Sequence, residues 1–161
     1  MTTNLKVNLP DSYCYDNADE NCEKYGRLYS WESAKEGCKT LGNGWHLPTT
    51  TEWRQIALLY KDTAQDSSAI RKAAYKELLL GGSSGFNAVL GGGREVEGKY
   101  ARMEAHGFYW TSTEIDSSSA WNYNFAKGSQ ALYQQDGGDK KEAYSVRCVK
   151  SGNVVGKAPQ K

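Results

Sequence analysis

The chain has 161 residues, with 20 Lys and Arg against 19 Asp and Glu for a formal charge of +1: one domain's worth of polypeptide, with no net field to gather phosphates or press it onto an anionic membrane, so nucleic acid is not an expected partner. Five Trp, eleven Tyr, three Phe and 17 Gly beside only three Pro argue against a long-helix bundle and for a loop-rich α+β domain held by large flat side chains. No run of 18 apolar residues exists to span a bilayer, and the start, MTTNLKVNLP, lacks the basic and apolar stretches of a secretory signal.

Residues 1–30 read as irregular, with turn formers in NLPDSYCYDNADENC and tyrosines at Tyr13, Tyr15, Tyr25 and Tyr29. Cys14 and Cys22 could close a short loop there. From Ser30, a candidate N-cap, the pattern turns helical: Trp31, Ala34, Cys38 and Leu41 share one face and Gly42 is a natural stop. In GWHLPTTTEW, Pro48 keeps His46 and Leu47 extended. Thr49 and Glu52 then form a capping box for a second helix with buried face Trp53, Ile56, Ala57 and Tyr60. A third helix is expected over Ser67 to Leu80, using Ile70, Ala73, Ala74 and Leu78 and ended by Gly81 and Gly82.

Beyond it the period changes to short alternating segments divided by Gly, Ser and Asp, which read as antiparallel strands and hairpins. Trp121, Tyr123 and Phe125 alternate with Asn122 and Asn124, which this pattern assigns to a solvent face. Tyr144, Val146 and Cys148 alternate with Ser145 and Arg147, so Cys148 is expected to face a core. Four Cys without a CxxC pair, beside two His, read as two disulfides rather than a zinc site. Of three possible connectivities the simplest joins Cys14 to Cys22 and Cys38 to Cys148. Disulfides belong to an oxidising compartment, which places the chain at an extracellular or cell-envelope surface, with an export signal removed or upstream. The tail, residues 151–161, reads as polar and frayed or a linker.

The segments CYDNADENCEKYGRLYSWESAKEGC, GWHLPTTTEW, GFNAVLGGGR, FYWTSTE, AW and YSVRCVK follow in this order. A helix tied by a disulfide to a C-terminal strand resembles the C-type lectin fold, and the ordered segments resemble the Fibrobacter succinogenes major paralogous domain family, found in exported bacterial proteins. The likeness runs from Asn4 to about Lys150 and predicts one domain over residues 1–150. It implies an α+β, C-type lectin-like fold, with two to three helices in the N-terminal half and short antiparallel strands with long loops in the C-terminal half. The family often begins with a Trp-Met pair just before an Asn-Leu. Here MTTNL starts at the Met, which implies missing upstream sequence, with a lipoprotein or secretion signal.

Three chemistries are weighed on this scaffold. Calcium-dependent sugar binding, as in C-type lectins, would need a proline-centred acidic loop motif and a Trp-Asn-Asp strand motif. WNYN at residues 121–124 echoes only part of the latter, and no proline lies between Pro48 and Pro159. HLPTTTEW resembles an element of formylglycine-generating enzymes, but their C-terminal cysteine pair is reduced here to Cys148. His46 could serve as a base or ligand, yet His106 is the only other histidine, and neither Ser112 nor Ser118 sits in a nucleophile elbow. His46 is therefore expected in a packing and capping unit, bonded to backbone. No enzymatic activity, metal or cofactor is expected.

Binding remains. Trp121, Tyr123, Tyr133, Gln134, Gln135 and Asp136 supply the aromatic and amide mixture of paratopes and sugar platforms, with Tyr133 to Asp136 expected at the surface and Trp110 and Phe125 in the core. The expected partner is a polysaccharide or a protein. A structural module of a larger surface or pilus assembly is the alternative, as is the variable display protein of a diversity-generating retroelement, which a neighbouring reverse transcriptase gene and template repeat would reveal.

Overall fold

The computed structural model describes residues 1–60 and 66–152; the predicted tail lies, from residue 153 on, outside the described residues. Among the described residues the fold is α+β, with four α-helices and several small antiparallel sheets. Strand β1 (Ser12–Tyr13) pairs with β2 (Leu28–Tyr29). Between them lie a 3-10 turn over Tyr15–Asn17 and helix α1 (Asp19–Tyr25), in a stretch expected to be irregular. The correction has a local cause: Asp19 and Glu20 suit the positive start of a helix, Lys24 suits its end, and Gly26 terminates it at φ 77°.

Helix α2 spans Trp31–Lys39 and follows Ser30, which holds the cap position without a side-chain cap bond. Leu41, expected on the buried face, is 36% exposed. The helix ends two residues earlier, and the chain reverses at Gly42 with φ 107°. Strand β3 (Trp45–His46) pairs with β9 (Val149–Lys150). Helix α3 (Thr50–Leu58) begins with the predicted capping box: Thr49 Oγ1 accepts from the Glu52 N–H at 3.1 Å, and Glu52 Oε1 accepts from the Thr49 N–H at 3.1 Å. Helix α4 (Ser67–Leu78) is capped by Asp66, whose carboxylate accepts from the Ala69 N–H at 2.8 Å. A small hairpin joins β4 (Gly93–Arg94) and β5 (Tyr100–Ala101).

The principal sheet joins β6 (His106–Glu114), β7 (Ser119–Ala126) and β8 (Ala131–Asp139) in that order. In the β6–β7 turn, the Ser119 hydroxyl, with the Ser118 donors and the Ser119 N–H, pushes the Asp116 pKa down to about 2. The sheet separates two cores. Trp110 and Ala120 pack with Leu5, Trp31, Ala34 and Val146 against α2. Tyr109, Tyr123, Phe125 and Leu132 pack on the opposite face with Trp53 of α3 and Ala74 and Leu78 of α4.

Covering both faces corrects the predicted solvent side of β7: Asn122 and Asn124 are each 3% exposed. Asn124 Oδ1 lies 3.0 Å from His106 Nδ1, and Asn122 stands opposite Trp110. A side chain at Gly138 would bring a Cβ within 2.8 Å of Trp110 and 2.9 Å of Asn122, so the neighbouring strand needs glycine there.

The C-terminal segment also departs from simple alternation. Val146 and Cys148 are buried as expected, but Ser145 and Arg147 are buried too and Tyr144 only partly. This segment threads between β2 and β6: the Tyr144 N–H donates to Tyr29 O at 3.0 Å and the Ser145 N–H to Phe108 O at 2.9 Å. The Arg147 guanidinium, 2% exposed, donates to Asn4 Oδ1 at 2.7 Å, to the Asn87 carbonyl at 2.8 Å and to the Phe86 carbonyl. Two disulfides close the frame: Cys14–Cys22, with Cα atoms 4.9 Å apart, and Cys38–Cys148, with Cα atoms 5.5 Å apart.

Candidate functional site

Strand β8 forms one edge of the principal sheet, and α3 and α4 lie across the sheet face beside it. Between them runs a groove of about 430 Å³ lined by Arg54, Ala57, Leu58, Ser67, Ile70, Arg71, Ala74, Tyr123, Leu132, Tyr133 and Gln134. Its floor is apolar because the amphipathic faces of both helices and the side chain of Leu132 meet there. Its rim is polar: the Arg71 guanidinium stands 5.5 Å from the Tyr133 ring centroid, within cation–π range. Among the described lining residues there are two guanidinium groups and no carboxylate.

The residues expected to bind divide among three environments. Tyr133 and Gln134 line the groove. Tyr123 is a core residue, 4% exposed and stacked on Trp53 at 5.2 Å with planes 16° apart. Its hydroxyl donates to Gln134 Oε1 at 3.0 Å and lies 3.3 Å from Thr50 O. Burial raises its pKa, which keeps that phenol a donor. Of the residues expected to bind, Tyr123 thus has its ring in the core beside Trp53 of α3.

Trp121 is half-buried where the pairing of β7 breaks on both sides. Its register shifts against β6 between Trp110 and Glu114, and against β8 between Ala120 and Asn122. Such bulges re-aim side chains. Asp136 is exposed in the bulged stretch of β8, and Gln135 is half-buried opposite Asn122. Arg54 and Arg71 were not among the expected residues. The available signal was position: each follows a buried-face residue, Trp53 or Ile70, and so flanks the apolar stripe of its helix.

On the other side of α4 lies a wider hollow of about 860 Å³. It is framed by Lys72, Lys76, Leu80 and Gln130 and holds none of the expected residues.

His46 stands at a separate place. Its Nδ1 lies 3.2 Å from Gly44 O and 3.3 Å from Ser151 Oγ, and its Nε2 lies 2.9 Å and 3.0 Å from the Glu52 carboxylate oxygens. The backbone bond was expected; the carboxylate was not. Partial burial opposes charge on the ring, but Glu52 and the Gly44 carbonyl overcome it and hold the imidazole pKa above 6.5. Burial likewise opposes the Glu52 charge, and the Thr49 N–H and His46 outweigh it, lowering the carboxyl below 4.5. An imidazolium donating from both nitrogens satisfies the carbonyl and the carboxylate together, which suits a clip between β3 and α3 better than a base.

The family model for the Fibrobacter succinogenes major domain matches residues 1–150. The chain belongs to that family. No curated protein matches it. The family match covers every element from β1 to β9, and thus the groove, both disulfides and the His46 clip. Among the described residues, no helix is long and apolar enough to cross a membrane, and no three His, Cys, Asp or Glu side chains gather as a metal site.

Proposed function

We propose that this domain is a non-enzymatic, exported binding module of C-type lectin-like build, which holds an acidic polysaccharide in the groove between α3, α4 and β8. The observation that carries the reading is the Arg71 guanidinium over the Tyr133 ring, at the rim of a groove whose described lining residues include no carboxylate. An aromatic face packs against the C–H side of a sugar ring, a guanidinium pairs with a uronate carboxylate in two-pronged geometry, and the Gln134 amide serves hydroxyls. Two disulfides fit an oxidising extracellular setting.

Native affinity electrophoresis in gels containing polygalacturonate tests this reading. Retardation should occur with or without chelator and should fall in Arg71→Ala and Tyr133→Ala. Unretarded migration of the wild-type domain in that gel would refute it.

One observation favours a second reading, a structural module of a surface assembly. The first half of edge strand β8, ALYQQ at residues 131–135, carries neither charge nor proline to discourage strand pairing. A concentration-dependent dimer by light scattering, lost on Gln135→Lys, would support it; a monomer at all concentrations would reject it.

A further inference from the structure

Apart from the groove, three tyrosines and an arginine form a second surface cluster. Tyr13 and Tyr15 flank Cys14, so the Cys14–Cys22 disulfide fixes the backbone that carries both rings. Tyr100 and Arg94 come from the β4–β5 hairpin. The Arg94 guanidinium lies 4.0 Å from the Tyr13 ring centroid and 5.9 Å from that of Tyr100. Tyr15 and Tyr100 stand 5.3 Å apart with planes tilted by 50°, and the Tyr100 hydroxyl donates to Asn17 Oδ1 at 3.0 Å.

None of these rings belongs to either core, and each is half-buried at the surface. Asp16 and Asn17, at the tip of the same loop, hold left-handed φ of 54° and 56°, which their residue types tolerate in turns. The disulfide and the Tyr100–Asn17 hydrogen bond restrain the cluster before any ligand arrives, which lowers the ordering cost of binding.

We propose that this cluster is a second carbohydrate site, which stacks the apolar face of a neutral pyranose unit. The tilted rings of Tyr15 and Tyr100 offer two facets to the C–H side of a sugar, and phenol hydroxyls with the Asn17 amide serve its hydroxyls. Arg94 packs against two tyrosine faces with its Nε buried, rather than at an open rim. Asp11 Oδ1 stands 3.5 Å from the Tyr13 hydroxyl and Asp16 is exposed, so a uronate would meet negative charge here. The two sites therefore sort sugars by charge, the groove taking acidic units and the tyrosine cluster neutral ones. This second assignment does not depend on the first.

The test is native affinity electrophoresis of the oxidised domain in xyloglucan, hydroxyethylcellulose and galactomannan, beside polygalacturonate. At least one neutral polymer should retard the wild type. Tyr15→Ala should weaken that retardation about tenfold and Tyr15→Phe less, because the ring stays and one hydroxyl is lost, while Arg71→Ala, in the groove, should leave it nearly unchanged. Nitration of wild-type tyrosines, read by peptide mass spectrometry, gives a measure free of folding effects: the retarding neutral polymer should protect Tyr13, Tyr15 and Tyr100. No retardation by any of the three neutral polymers, or retardation without protection of these tyrosines, overturns the second site. Loss of polygalacturonate retardation in Arg71→Ala is a separate outcome that bears only on the groove.

Discussion

Breaking the Cys38–Cys148 bond should cost this domain more than breaking Cys14–Cys22, by an amount that follows from the chain lengths they close. The separations are 110 and 8 residues. In the chain-entropy description, the long closure stabilises by about 4.8 kcal/mol and the short one by about 2.6 kcal/mol. Both Cys38 and Cys148 are buried among Leu5, Trp31 and Val146, so replacing them by alanine also removes packed sulfur and adds to the loss. For a chain of this size each kcal/mol shifts Tm by roughly 2 to 4 °C, so Cys38→Ala with Cys148→Ala should lower it by about 10 to 20 °C. Cys14→Ala with Cys22→Ala should lower it by about 5 to 10 °C. Calorimetry of the two double variants beside the wild type makes the comparison. Equal shifts, or a long-loop loss below about 2 kcal/mol, would show that core packing alone holds α2 to the C-terminal segment.

Arg147→Ala leaves Asn4 Oδ1 and the Phe86 and Asn87 carbonyls without their buried donor, and should destabilise by about 3 to 5 kcal/mol in urea unfolding. A loss under about 1 kcal/mol would mean that water replaces the guanidinium freely. Trp53→Ala removes the ring that stacks on Tyr123 and meets Phe86, Tyr109 and Phe125, at a cost of about 3 to 5 kcal/mol; Trp53→Phe should cost clearly less, because the indole N–H is buried with no partner among the described residues. The His46–Glu52 clip gives a pH signature. His46, with its folded pKa raised, contributes fully below 6.5 and loses its contribution as pH rises through the folded value; Glu52, with its folded pKa lowered, contributes above 4.5 and loses it as pH falls through the folded value. The Tm advantage of wild type over His46→Gln should therefore peak between those values, and a flat difference from pH 4 to 9 would contradict the clip.

Features governed by neighbours in sequence were the legible ones. The capping box of Thr49 and Glu52 needs only three residues' separation, and both of its hydrogen bonds form. Helical spacing pointed Cys38 inward and strand alternation did the same for Cys148, and of the three possible connectivities the structure forms the one that joins them. Features decided by distant chain were hidden. Asn122 and Asn124 read as outward because alternation describes one strand, whereas their burial comes from covering the second sheet face with α2 and the C-terminal segment. Arg147 read as outward for the same reason, and its acceptors lie 60 residues or more away. The short α1 was obscured by the same Asp and Asn residues that suit both turns and helix starts. In the groove, Tyr133 and Gln134 were visible as aromatic and amide on a strand, whereas Arg54 and Arg71 became candidates only once two helices and β8 met.

The most direct measurement is an amide NMR titration of the oxidised domain with a homogeneous oligogalacturonide. Groove binding predicts shift changes concentrated at Arg54, Arg71, Tyr133 and Gln134, saturating with ligand and abolished in Arg71→Ala. A spectrum unchanged at millimolar oligosaccharide, or changes gathered elsewhere on the surface, would contradict the groove as the binding site.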